Sequence, residues 1–317
     1  GAGSGSAGDD WRRARAPRRL APGTPFTGAV DRSGMIDETV AEIRAMRTHS
    51  TSAVAVKATR SLADLLDREY VTVDEFERDL EHNAGVLRRS NPSHAALHNA
   101  MREVERSIVG EATSVEGANQ LLADVIDRVV DDIETAKGEA AANAAEHIED
   151  GDTLLVHDYS TTVLEAVENA ARDGAHLTVY VTEARPRTLG RKTARVLAGI
   201  SRVDVHMVVD SAMGYALRDC DRVLLGITCI TGGTYYNRIG TFPLVVTARE
   251  LGVPVTAVGS GAKTIEEFRF ENEFRDAVEV VREPTERVQV GNPNYVRTPV
   301  GINDTLSHAD AAAGCVP

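Results

Sequence analysis

Two hydrophobic periodicities divide the chain. From Met35 to Glu149 apolar residues recur at helical spacing: Ile36, Val40 and Ile43, then Val54, Leu62 and Leu65 after a short Thr-Ser interruption. A third helix is predicted from the capping signal Thr72-Val73-Asp74-Glu75 to about Arg89, and Pro92 suits the first turn of a fourth, with Ser90 or Asn91 as its cap. The longest pattern follows Ser114: Val115, Ala118, Leu122, Val125, Val129, Ile133 and Ala136 share one face and predict a helix of roughly 30 residues that ends before Asp150.

Beyond Gly151 the period changes. Thr153–Val156, Leu177–Val181, Val203–Val209, Arg222–Leu225 and Val253–Val258 are short, continuously apolar and rich in β-branched residues. Helical spacing fills the intervals Thr161–Arg172, Thr188–Ala198, Ala212–Leu217 and Ile239–Leu251. Alternation of such strands with helices predicts a parallel sheet covered on both faces. The fold class is therefore α/β: a helical N-terminal domain (29–149) followed by a Rossmann-like domain with a mainly parallel sheet (150–317). Residues 1–28 are Gly, Ser, Ala and Pro-rich, carry five arginines (Arg12, Arg13, Arg15, Arg18, Arg19) and predict a disordered arm; GAGSGSAG at its start reads as an artificial linker.

Composition narrows the function. The 317 residues carry a net charge of −13 and are 42% hydrophobic, so a nucleic-acid surface is not expected outside the basic arm. No apolar run has the roughly 18 residues of a membrane span. Cys220, Cys229 and Cys315 form neither a disulfide nor a metal spacing, which predicts a cytoplasmic location and no metal. The first strand lacks the GxGxxG turn of a dinucleotide fold, and no cofactor is expected.

Polar clusters follow four strand ends at the carboxyl edge of the predicted sheet. They are His157, Asp158, Tyr159 and Ser160; Glu183, Arg185, Arg187, Arg191 and Lys192; Asp210, Ser211 and Tyr215; and Thr228, Cys229, Asn237 and Arg238 within GITCITGGTYYNRIGT. Lys263 stands in the loop after the last strand. Arginines, a helix N-terminus, carboxylates and hydroxyls at one edge suit a phosphorylated small molecule. Each has a structural reading as well. Ser160 suits an N-cap, Glu183 and Arg185 suit a mutual pair, and Cys229 suits a small buried hydrophobe.

The ordered segments HDYSTTVLEAV, VYVTEARPRTLGRKTA, VVDSAMGYALRDCDRVLLG, NRIGT and NPNYVRTP resemble a family spanning about Met35 to Pro299. It is the one shared by the α, β and δ regulatory subunits of translation initiation factor 2B, ribose-1,5-bisphosphate isomerase and methylthioribose-1-phosphate isomerase. The resemblance implies a sugar-phosphate pocket between a helical and a Rossmann-like domain, and a homodimer. It also implies that Asp158 stands where the isomerases have a catalytic cysteine, and Thr228 where they have a catalytic aspartate. Arg47-Thr48-His49 matches a phosphate-binding Arg-Gly-Ala, Asn91-Pro92-Ser93 an Arg-Pro-Thr, Asn237-Arg238 an Asn-Lys pair, and Val296 a late aspartate.

With both catalytic positions changed, the sequence predicts a non-catalytic member that binds a sugar phosphate or nucleotide and has a translation-factor partner. The alternative is a ribose-1,5-bisphosphate-type aldose–ketose isomerase in which Asp158 and Cys229 serve as exchanged acid/base residues. The expected ligand contacts are Arg47, His157, Asp158, Tyr159, Ser160, Glu183, Arg185, Asp210, Thr228, Asn237, Arg238 and Lys263.

Overall fold

A computed structural model describes residues 35–45, 50–266, 268–282, 290–298 and 304–306, all within one compact unit. The arm, Arg47 and Cys315 lie outside the described residues.

Helices come first, as the periodicity predicts: α1 (Met35–Arg44), α2 (Thr51–Ser61), α3 (Val73–Ser90), α4 (Ala95–Ile108) and α5 (Val115–Ala145). Side-chain caps set several starts. The Thr72 hydroxyl accepts the Glu75 N–H, and Ser114 does the same for Gly117, contacts worth about 1 kcal/mol each. α4 departs from expectation. It begins at Ala95 with His94 at the N-cap, and Pro92 sits in a turn ahead of it.

The 31-residue α5 joins two cores. Ala118 to Ile133 pack with α1–α4 around Phe76, Leu80, Leu97 and Met101, whereas Ala141 and Ala144 pack beneath the sheet.

The sheet alternates strands with covering helices: β1 (Thr153–Val156), α6 (Thr161–Arg172), β2 (Leu177–Thr182), α7 (Gly190–Leu197), β3 (Val203–Val208), the short α8 (Met213–Ala216) and β4 (Arg222–Gly226). A hairpin of β5 (Cys229–Thr231) and β6 (Thr234–Arg238) follows, then α9 (Thr241–Glu250), β7 (Val255–Val258), β8 (Tyr295–Thr298) and β9 (Asp304–Leu306). Six parallel strands run in the order β3-β2-β1-β4-β7-β9. Leu154, Val156, Val179 and Val181 face one apolar layer, and Leu155, Val223, Leu225 and Val255 the other. This accounts for the continuously apolar strands.

Order reverses between β1 and β4, because β1 leads on to β2 and β3 on one side while β4, β7 and β9 lie on the other. A crevice opens outside the carboxyl ends of parallel strands at such a point, and ligands bind there. The hairpin leans over it. β5, β6 and β8 form a separate antiparallel sheet turned by Gly232-Gly233, both at positive φ, as a two-residue turn requires. The glycine-punctuated sequence GITCITGGTYYNRIGT predicts a loop here, and the hairpin stands in its place.

Among the described residues no helix is long and apolar enough to cross a membrane, and no group of three or more His, Cys, Asp and Glu could hold a metal ion.

Candidate active site

A narrow polar cavity lies at the crevice. Its lining comprises His157, Asp158, Tyr159 and Ser160 after β1, Gly226, Ile227 and Thr228 after β4, Asn237 and Arg238 from β6, Lys263 after β7, and Ser50, Thr51 and Thr161 at the starts of α2 and α6. Its volume is ≈ 30 Å³, room for about one or two waters. A wider cleft of ≈ 570 Å³ adjoins it and shares Ser50 and Thr161, whose hydroxyls are hydrogen-bonded at 3.0 Å.

Asp158 is 8% exposed and sits at φ +64, a left-handed conformation that aspartate tolerates better than most residues. Its Oδ2 accepts from Arg238 Nε at 2.8 Å, and both side chains are buried. Burial opposes the Arg238 charge, but Asp158, Tyr295 and Glu273 together outweigh it and raise the guanidinium further above its usual range. Arg238 Nη1 donates to Asn294 Oδ1 at 2.8 Å, and the guanidinium lies 5.0 Å from the Tyr295 ring centre.

Lys263 is 4% exposed, and among the described residues its ammonium has no hydrogen-bond or ion-pair partner. Burial, with a smaller contribution from Lys137, pulls its pKa down to about 8.

The other strand-end groups support the walls. His157 Nε2 donates to the Ile239 carbonyl at 2.8 Å while Nδ1 lies 2.6 Å from Thr182 Oγ1, so both ring nitrogens are engaged. Ser160 Oγ accepts from Val163 N–H and caps α6. Thr228 Oγ1 donates to Asn237 Oδ1, and Asn237 Nδ2 donates to Thr241 Oγ1, both at 3.2 Å. Lys192 stacks over the Tyr159 ring at 4.0 Å.

Gly240, at φ +98, lets the chain pass against the His157 ring: a Cβ there would stand 2.6 Å from Cε1. Gly240→Ala combines positive-φ strain with that overlap. It is expected to destabilise the fold by about 2–4 kcal/mol, measured as a lower urea midpoint at unchanged m-value.

Three expected contacts and the candidate acid/base residue Cys229 are absent from the cavity. Glu183 pairs with Arg191 rather than with Arg185. The Asp210 carboxylate accepts the N–H groups of Ala184 and Arg185 at 2.7 Å each and so holds the turn after β2, while Arg185 Nη2 donates to the Val280 carbonyl. All three lie at the expected sheet edge, but they are spent on local structure. Cys229 follows cavity-lining Thr228, and β5 turns it to the opposite face among Ala95, Ile265 and Tyr236. It is 0% exposed, and burial pushes its thiol up to about 12. An acid/base pair of Asp158 with Cys229 is therefore corrected: strand alternation points the thiol away.

Sequence reasoning missed Ser50, Thr51 and Thr161, which are helix-start hydroxyls without a pattern of their own. It also missed the role of Asn294, although the segment NPNYVRTP had marked its neighbourhood.

Residues 47–302 match the Initiation factor 2 subunit family. The chain belongs to that family. A relative in Haloferax volcanii, named ribose 1,5-bisphosphate isomerase, is 33% identical over 264 residues, covering 81% of this chain and 80% of its own length. One of the same name in Archaeoglobus fulgidus is 30% identical over 278 residues, covering 85% and 86%.

Among solved structures, the Pyrococcus horikoshii OT3 translation initiation factor eIF-2B superposes with a TM-score of 0.74 at 23% identity, covering 86% of this chain and 95% of that one. The 5-methylthioribose 1-phosphate isomerase of the same organism gives 0.73 at 21% identity, covering 86% and 83%. These two establish the fold of the family member. The named relatives overturn the expectation of a non-catalytic protein. Loss of the two catalytic residue types in this chain had suggested it, yet relatives spanning most of the chain at 30% identity or above carry an isomerase name.

Proposed function

We propose that the protein is a sugar-phosphate isomerase that converts ribose 1,5-bisphosphate to ribulose 1,5-bisphosphate. The observation that carries this reading is a buried carboxylate, Asp158, and an unpartnered buried ammonium, Lys263, lining one polar cavity at the sheet's reversal point. The names of the relatives support the substrate class.

The chemistry can be written with those two groups. C1 of the substrate carries a phosphate ester, so there is no free aldehyde and ring opening has to accompany loss of the C2 proton. The Asp158 carboxylate takes that proton as the C1–O4 bond breaks, and the Lys263 ammonium gives its own to O4. An enol phosphate with a C1–C2 double bond results. Asp158 then returns its proton to C1, the C2 hydroxyl loses its proton to Lys263, and the ketone forms with both residues restored. A lysine at about 8 is near the operating pH at which such exchange is efficient. Arg238 holds Asp158 and, with Lys263, offsets the charge of the phosphate and the developing enolate.

A pentose bisphosphate exceeds the cavity's ≈ 30 Å³, so binding requires the Ser50–Thr161 partition to part toward the wider cleft. A homodimer, which the family resemblance implies, fits this reading, and a translation-factor partner has no role in it. The test is to incubate the purified protein with ribose 1,5-bisphosphate and follow the C2 ketone by carbon NMR. Signal growth that scales with enzyme supports the reading, and a rate equal to the enzyme-free control refutes it.

A further inference from the structure

We infer that Glu273 is a positioning residue for the Asp158–Arg238 pair, acting through Asn294 from outside the cavity. The inference rests on the isomerase reading for its kinetic test alone. Arg238 is donor-only, so the Asn294 amide must turn its oxygen toward the guanidinium, and Oδ1 stands 2.8 Å from Nη1. The amide nitrogen is thereby directed at Glu273, with Nδ2 3.5 Å from Oε2, while the Asn294 backbone N–H donates to the Glu273 carbonyl at 2.8 Å.

Glu273 is anchored from the far side. Ser93 Oγ lies 2.8 Å from Glu273 Oε1 and 2.9 Å from Asn91 Oδ1, and Asn91 Nδ2 lies 3.1 Å from His94 Nε2. His94 Nε2 also meets the Tyr295 hydroxyl at 3.0 Å, beneath the ring on which Arg238 rests. The segment ahead of α4 is thus tied through Glu273 and Asn294 to the guanidinium that holds Asp158.

This arrangement makes orientation the variable. An asparagine whose amide turns over would present Nδ2 to Arg238, donor against donor, and the guanidinium would leave Asp158. Glu273 offers only acceptors while ionised, so it holds the amide in the productive sense. Burial raises its pKa while Ser93, Asn294, Arg238 and Arg275 act against that rise.

Glu273→Ala removes this one acceptor of the Asn294 amide. Glu273→Gln keeps it if the new amide turns its oxygen to Asn294 and its nitrogen to Ser93, whose single hydroxyl proton then goes to Asn91 instead of to the carboxylate. Turnover of ribose 1,5-bisphosphate by Glu273→Ala is expected to show kcat about 10–100-fold lower with KM within about threefold, because the reacting carboxylate is misplaced while Lys263 and the long-range charge of Arg238 still attract the phosphate. Glu273→Gln is expected to recover kcat to within about threefold of the wild type. Asn294→Ala, which removes the relay and leaves Glu273 intact, is expected to match Glu273→Ala.

A ligand-free measurement separates this inference from the isomerase reading. The Arg238 Nε–H, paired with a buried carboxylate, is expected to give a slowly exchanging nitrogen-15 NMR resonance in the wild type and Glu273→Gln, lost in Glu273→Ala and Asn294→Ala. An unaltered resonance in both alanine variants overturns the inference. Absence of wild-type turnover with the resonance pattern as expected removes the isomerase reading and leaves the inference standing.

Discussion

Asp158→Asn is expected to lower kcat for ribose 1,5-bisphosphate by about 10²–10⁴-fold, the range that a positioned acid/base contributes, with the protein still folded. Asparagine keeps the shape, tolerates the left-handed φ of +64 and still accepts from Arg238 Nε through its amide oxygen, but it cannot carry the proton from C2 to C1. Asp158→Ala differs because it also strands a buried guanidinium. Removing one partner of such a pair costs about 3–5 kcal/mol, so its melting temperature should fall well below that of Asp158→Asn. Steady-state kinetics with thermal unfolding on both variants checks this. Turnover by Asp158→Asn within about threefold of the wild type would exclude Asp158 as the proton carrier.

Lys263→Met is expected to abolish turnover and to make the protein more stable. An unpartnered ammonium at 4% exposure is a cost that folding bears. The pKa falls from 10.5 to about 8, and at ~1.4 kcal/mol per unit that corresponds to about 3 kcal/mol of destabilisation at pH 7. The sign follows from proton binding. Between about 8 and 10.5 the unfolded chain still holds the lysine proton that the folded chain has shed, so stability rises with pH across that window. Below about 8 both states hold it, and the full cost remains. Lys263→Met, similar in length and apolar, removes the charge and with it the pH slope. Urea titrations at pH 7 and pH 9.5 test both halves. A variant no more stable than the wild type at pH 7, with the same rise toward pH 9.5, would contradict the burial cost.

The pattern of apolar positions carried most of the architecture because parallel strands and amphipathic helices are each set by local sequence. Thr153–Val156 and Arg222–Gly226 are buried on both faces and therefore read as continuous apolar runs. The hairpin Cys229–Arg238 was not legible in that way. Six of its ten residues are Thr, Tyr, Asn or Arg against the two apolar residues Cys229 and Ile230, and its third strand is supplied by Tyr295–Thr298, far along the chain. Parity at Cys229 depended on recognising β5, so the thiol was placed on the wrong side of the site. The start of α4 slipped to Ala95 for a related reason. Asn91 and Ser93, suited by type to caps and turns, are engaged in the tertiary chain that reaches Glu273. Glu183, Arg185 and Asp210 were correctly gathered at one sheet edge, but residue type alone does not separate a carboxylate that braces a turn from one that faces a cavity.

The pairing of β6 with β8 also bears on the order in which the molecule becomes competent during synthesis. All strands of the parallel sheet up to β7 have been made by Val258, so the scaffold can condense while later codons are still being read. Arg238 acquires Asn294 and the Tyr295 ring only when those residues emerge. A nascent chain that has completed most of its fold is therefore still without a finished site, and a message cut short between those two points would yield a protein with a nearly complete sheet and an unsupported Arg238.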